Sequence, residues 1–152
     1  MSTPLPADLE TAAATGRTDA VLEAAIAHFG CQAGTVHVLR EGVLKIDAHK
    51  NIPPPVVQIV ATVPIGKGIA GLAAERREAV SICNLQTDSS GQAKPGAKAT
   101  GMEGSIAVPM LAHGELRGVI GIAKAEAYDW PADESALLTQ LAAALAERLP
   151  AE

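Results

Sequence analysis

The chain has 152 residues, 48% of them hydrophobic, which is the size and composition of one domain with a real core and argues against disorder over most of its length. Its 12 Lys and Arg against 17 Asp and Glu leave a net charge of -5, and the basic residues form no stripe. Nucleic acid and anionic membrane are therefore poor direct partners. Aromatic residues make up only 2% (Phe29, Tyr128 and Trp130), too few for a base-stacking surface, so the core must be built from Ala, Val, Ile and Leu.

Residues 1–7 hold two prolines and read as a flexible lead-in, with a single domain expected over 8–150. From residue 8 to 29, Leu9, Val21, Leu22, Ala25, Ile26 and Phe29 recur at three- and four-residue steps, a helical period. Gly16 interrupts it, Thr18 and Asp19 suit a fresh helix start, and Gly30 suits a stop. TVHVL (35–39) and VLKIDA (43–48), joined by a short link ending in Gly42, spell a β-hairpin. Pro53, Pro54 and Pro55 then end any ladder, because proline lacks the donor. Residues 56–63 suit a short helix or a strand almost equally.

GKGIAG (66–71) comes next, followed by a short apolar helix, a charged cluster at 75–78 and a strand at 80–83. Residues 84–104 offer only Leu85 and Met102 as large apolar side chains; a run of this length without structure is generally functional or disordered. SIAVPML (105–111) and LRGVIGIAKA (116–125) form a second hairpin, apolar on both faces, which calls for a sheet covered on both sides. Pro109 must then sit at an edge, a bulge or a non-bonded position. The last helix starts near Asp129, a candidate cap, and carries a stripe of Leu137, Leu138, Leu141, Leu145 and Leu149 up to Pro150. The order is that of an α+β domain with an antiparallel sheet.

Taken literally, GKGIAG matches the G-x-G-x-x-G dinucleotide fingerprint. That motif needs a strand before it, a long helix after it and an acid about 20 residues on, at a strand end. Here Pro64 precedes it, the helix is cut short at the 75–78 cluster, and Asp88 falls on a Gly/Ser-rich stretch. The Lys67 position also fails the Walker A spacing. The glycines read instead as a tight turn that allows close backbone packing.

Residues 65–71 followed by 76–80, by Asn84, Leu85 and Asp88, by 104–110 and 118–122, and by 130–141 resemble the GAF domain pattern. That pattern is a glycine turn into a short helix, an n-l-x-x-D loop, an s-x-x-x-v-P-m strand, a G-v-i-g-i strand and a C-terminal helix. The match runs from about Cys31 to Leu149. The resemblance implies a central antiparallel sheet with the N- and C-terminal helices on one face, and short helices plus a long loop enclosing a small-molecule pocket on the other.

One enzymatic branch of that family, free methionine-(R)-sulfoxide reductase, is similar in framework and uses cysteines in the glycine turn and the loop, with carboxylates on the later strands. This chain has Ala70 in the turn and no cysteine in 84–104, and the strand positions that the resemblance would give to carboxylates are Ser105, Gly121 and Ala123. Sulfoxide reduction needs a nucleophilic thiolate and normally a resolving thiol. The chain is accordingly expected not to be an enzyme, with a thiol-dependent reductase using Cys83 as the alternative and a ligand-free dimerisation module as another. Cys83 has a redox or ligand-contacting reading beside that of a small buried hydrophobe, and Cys31 reads as core.

His28, His37, His49 and His113 are not paired at ligand spacing, so no metal site is signalled. His37 has two readings: a pocket-facing ligand or proton donor, and a satisfied sheet histidine. The cyclic-nucleotide and bilin patterns of the family cannot be laid on this sequence, and no cofactor follows from it. Cys83, Asn84, Asp88, Met102, Glu103 and Ser105 are the candidate ligand contacts. The expected function is a sensory, small-molecule-binding domain that acts through a separate partner, since no output module is read after Leu149. A homodimer through the terminal helices is expected. The N-terminus shows no secretory signal and the two cysteines no disulfide framework, which makes a cytoplasmic location the default.

Overall fold

The computed structural model describes residues 4–87 and 101–150. Two helices open the chain, α1 (Ala7–Ala14) and α2 (Thr18–His28). Gly16 separates them at φ 67°, and Gly30 stops the second at φ 65°. Thr18 does begin α2, but its hydroxyl donates to the Asp47 carboxylate, so it ties the helix to the sheet instead of capping it.

The first hairpin is β1 (Ala33–Arg40) and β2 (Val43–Lys50). Its two-residue link, Glu41–Gly42, has both φ values positive (53° and 79°), which matches the right-handed twist of the paired strands. The 56–63 ambiguity resolves into both alternatives: α3 (Pro54–Ile59), then a three-residue edge strand β3 (Thr62–Pro64). Helix α4 (Gly68–Arg76) follows the glycine turn, then β4 (Val80–Ile82), β5 (Gly104–Ala112), β6 (Glu115–Lys124) and α5 (Ala132–Ala146).

All six strands join one antiparallel sheet in the order β3-β2-β1-β6-β5-β4. Pro109 pairs with Val119 on β6, while β4 reaches only Ser105, Ile106 and Ala107 of β5. The proline thus lies where β5 has no neighbour on its other side, and its missing N–H breaks no ladder. The glycine turn is a packing device: a Cβ on Gly71 would lie 2.6 Å from the Pro64 carbonyl oxygen, so α4 can press onto β3 only with glycine there.

Each sheet face has its own apolar layer. On one face α1, α2 and α5 pack Leu9, Leu22, Leu138, Leu141 and Leu145 against Val36, Val108 and Ile120. On the other, Ile69, Ala73 and Ala74 of α4 meet Leu44, Ala107 and Val119. Burying a side chain of the Leu138 type contributes about 1.5–3 kcal/mol, and the three central leucines of α5 are all at most 1% exposed. Asp129 does not cap α5. The residue before its first turn is Pro131, and the Asp129 carboxylate instead accepts from the Cys83 thiol.

The three aromatic residues gather at the start of α5. Trp130 packs edge-on against both Phe29 and Tyr128, and the Lys124 ammonium lies 4.2 Å from the Tyr128 ring centroid. The Tyr128 hydroxyl donates to Glu134, which pushes its pKa up to about 12.

Candidate functional site

Strand alternation sends residues i and i+2 to the same face. On the face away from the terminal helices this brings together Thr35 and His37 of β1, Ser105 and Ala107 of β5, and Gly121 and Ala123 of β6. They form the floor of a cavity of about 260 Å³. One wall comes from Ile52 and from Val56, Ile59 and Val60 in and beside α3. The other comes from Val63 and Pro64 of β3 and from Lys67 to Ala70 at the start of α4. Leu85 and Met102 line a further side.

The lining is aliphatic. Among the described residues its polar side chains are Thr35, His37, Thr62, Ser105 and Lys67, and no acid, Phe, Tyr or Trp lines it. Lys67 is exposed and makes no ion pair among the described residues. It stands just before the first turn of α4, and no side chain caps that turn. The leading N–H groups of a helix have no partner within the helix, so this end of the cavity carries partial positive charge.

His37 combines the two readings its position in the strand allowed. It lines the cavity, yet it is only 2% exposed, and its Nε2 lies 2.8 Å from the Val60 carbonyl oxygen. A carbonyl can only accept, so Nε2–H is the donor and Nδ1 is left with a lone pair. Nδ1 is buried and has no hydrogen-bond partner among the described residues. Burial lowers the His37 pKa, opposed by the bond to Val60, so the ring is neutral at pH 7. The imidazole ties the middle of β1 to the residue that ends α3.

The six candidate contacts separate. Met102 and Ser105 line the cavity. Asn84 and Glu103 lie off it and form a clip: Asn84 Nδ2 donates to Glu103 Oε1 at 3.1 Å, and Asn84 Oδ1 accepts from the Gln86 N–H at 2.9 Å. Two backbone bonds brace the same place, Leu85 N–H to the Glu103 carbonyl (2.7 Å) and Glu103 N–H to the Lys124 carbonyl (2.8 Å). Cys83 is exposed, also off the cavity, with its pKa raised chiefly by the hydrogen bond to Asp129. Asp88 lies outside the described residues. Cys31 is buried on the helical face, its pKa pushed up to about 12 by burial.

Residue reasoning from the loop missed Thr35, Lys67 and the α3 wall. The signal for Thr35 was available, since it shares the two-residue period of His37. Lys67 was visible only inside a motif set aside for other reasons.

The described geometry matches a known architecture. A family model for the GAF domain matches residues 15–149. The chain belongs to the GAF domain family. Among solved structures, it is similar to the GAF domain of the phosphoenolpyruvate-protein phosphotransferase from Acinetobacter, with a TM-score of 0.75 and 17% identity over 92% of this chain and 89% of that one. The corresponding GAF domain from Coxiella burnetii gives 0.74 and 21% identity over 97% of this chain and 83% of that one. The free methionine-R-sulfoxide reductase of Neisseria meningitidis, solved with its substrate, gives 0.69 and 15% identity over 92% and 76%. At these identities the likeness establishes the GAF fold alone. No curated protein sequence matches the chain closely enough to count as a relative.

Two of the strand positions at issue in the reductase comparison, Gly121 and Ala123, sit on the cavity floor of this GAF domain beside Ser105, and none of the three is acidic. No helix of the described residues is long and apolar enough to cross a membrane.

Proposed function

We propose that this GAF domain is a regulatory module that binds a small molecule between its sheet and the α3–α4 layer and passes the bound state to a separate partner. The observation that carries the reading is the aliphatic cavity itself: it lies on the sheet face opposite the terminal helices and has a positive charge at one end. Thermal-shift measurements across purines, amino acids, cyclic nucleotides and 2-oxoacids test it. A ligand-specific rise in Tm is expected, and uniformly flat curves would remove the sensory role.

A thiol-dependent reductase is the second reading, because similar structures include methionine sulfoxide reductases. The placement of the thiols weighs against it. Neither Cys31 nor Cys83 lines the cavity, and both have raised pKa values, whereas the attacking species is a thiolate. Steady turnover of free methionine sulfoxide with thioredoxin, lost in Cys83→Ser, would restore the enzyme reading.

A homodimer through the terminal helices accompanies the proposal. Leu137 on α5 and Leu149 just past its end are only half-buried and are what this end of the chain has left to offer a second copy. Light scattering over a concentration series checks this, and a monomer mass throughout would end it.

A further inference from the structure

The cavity also indicates what kind of molecule it takes, an inference that rests on the small-molecule reading above. Three independent features bear on it.

The first is size. An apolar cavity of roughly 150 Å³ holds benzene, and a water occupies about 30 Å³ of liquid. A cavity of about 260 Å³ therefore suits a ligand of about nine non-hydrogen atoms.

The second is polarity. The walls are formed by Ile52, Val56, Val60, Val63, Ile69 and Leu85, which suit a flexible hydrocarbon chain; among the described residues no Phe, Tyr or Trp is present to stack on a planar base. Lys67 is the one charged side chain in the lining among the described residues, and it lies beside the uncapped start of α4. Both attract an anion; among the described residues no carboxylate lines the cavity, and the nearest one to this turn is that of Glu75, which lies against Gly66. His37 lines the floor with a buried Nδ1 that has no partner among the described residues.

The third is Gly121. A glycine in mid-strand weakens the sheet unless something must come close to it. The neighbouring glycines have such a reason within the protein: a Cβ on Gly118 would overlap the His37 carbonyl, and one on Gly34 would lie 2.7 Å from the Gly121 carbonyl oxygen. Gly121 has none. Among the described residues a Cβ there would meet only Thr35 Oγ1 at 3.6 Å and the Ile106 carbonyl oxygen at 3.8 Å, both ordinary contacts. Its missing side chain opens space in the cavity floor.

We propose that the cavity binds an aliphatic monocarboxylate of about four to eight carbons, its chain over Gly121 and its carboxylate at Lys67 and the α4 N-terminus.

Calorimetric titration at pH 7.5 with butanoate, hexanoate, octanoate and dodecanoate, and with hexan-1-ol as the uncharged control, tests the proposal. Affinity is expected to rise about fourfold per added methylene until the cavity is full, and to fall at dodecanoate. Lys67→Met should weaken hexanoate about threefold and leave hexan-1-ol unchanged. Gly121→Val should weaken both at least tenfold, while the Trp130 emission and the Tm confirm that the variant is folded. Dodecanoate binding tightest, with Gly121→Val without effect, would mean adsorption to the surface and overturn the proposal. If the carboxylates are silent but another compound of the library binds, and Gly121→Val blocks it, the acid class is overturned while the sensory reading stands. If nothing binds, both fall.

Discussion

Gly118 and Gly121 lie three residues apart on β6, and the structure gives them opposite tolerances. At Gly118 an added methyl would run into the backbone of β1, so the two strands would have to part; Gly118→Ala should cost about 3 kcal/mol, at the upper end of overpacking penalties. At Gly121 the same methyl has room, and the alanine gains in backbone entropy, so Gly121→Ala should stabilise by about 0.5 kcal/mol. Urea unfolding followed by Trp130 fluorescence separates the two. His37 makes a pH prediction at the same scale. Its pKa is lowered on folding, so below about pH 6.5 the unfolded chain binds a proton that the folded chain refuses. Stability should fall as the pH drops from 7.5 to 5.5, by at most about 1.4 kcal/mol per unit for this one group. The His37→Gln variant should show a smaller slope. Asp129 supplies a residue-level check on the thiols: Asp129→Asn removes the carboxylate that raises the Cys83 pKa, and labelling of Cys83 by a disulfide reagent should become severalfold faster.

At the scale of elements, the hairpin turns are strained and can be improved. Glu41 and His113 both sit at φ 53°, each followed by a glycine in its two-residue turn. Left-handed backbone costs an ordinary residue about 1–2 kcal/mol, and asparagine tolerates it better. Glu41→Asn and His113→Asn should each raise stability by about 0.5–1 kcal/mol, read from the urea midpoint. These turns also show why so much of the fold was legible in the sequence. Each glycine that ends a turn or a helix lies between runs of clear period, and the period survives into the structure. What was not legible followed from longer-range facts. Residues 56–63 carry two propensities at once, and only the free edge of β2 makes Thr62–Pro64 a strand. Asp129 has the right chemistry for a cap but meets Cys83, which is 46 residues away in sequence (129 − 83). The site was partly legible for the same reason: Met102 and Ser105 were reachable from the loop, whereas Val56 and Lys67 join the cavity only through the packing of α3 and α4 on the sheet.

At the scale of the whole molecule, the sheet divides the protein into two apolar layers that share no helix. The outer layer of α1, α2 and α5 consumes most of the leucine stripe that sequence alone offered to a second chain. The inner layer is thinner, and the large hydrophobic side chains most exposed among the described residues, Ile59 and Ile65, both belong to that side. Ile59 itself lines the cavity. Filling the cavity should therefore protect α3 and α4 from hydrogen exchange more than α5.

Trp130 is the sole tryptophan, and it belongs to the aromatic group on the outer layer, across the sheet from a cavity that no Phe, Tyr or Trp among the described residues lines. The binding chamber is thus optically dark, and the only indole reports from the opposite side. Any ligand-dependent change in its emission would have to be relayed mechanically through the strands, so an ordinary fluorimeter can measure whether this domain transmits a signal or merely holds a guest.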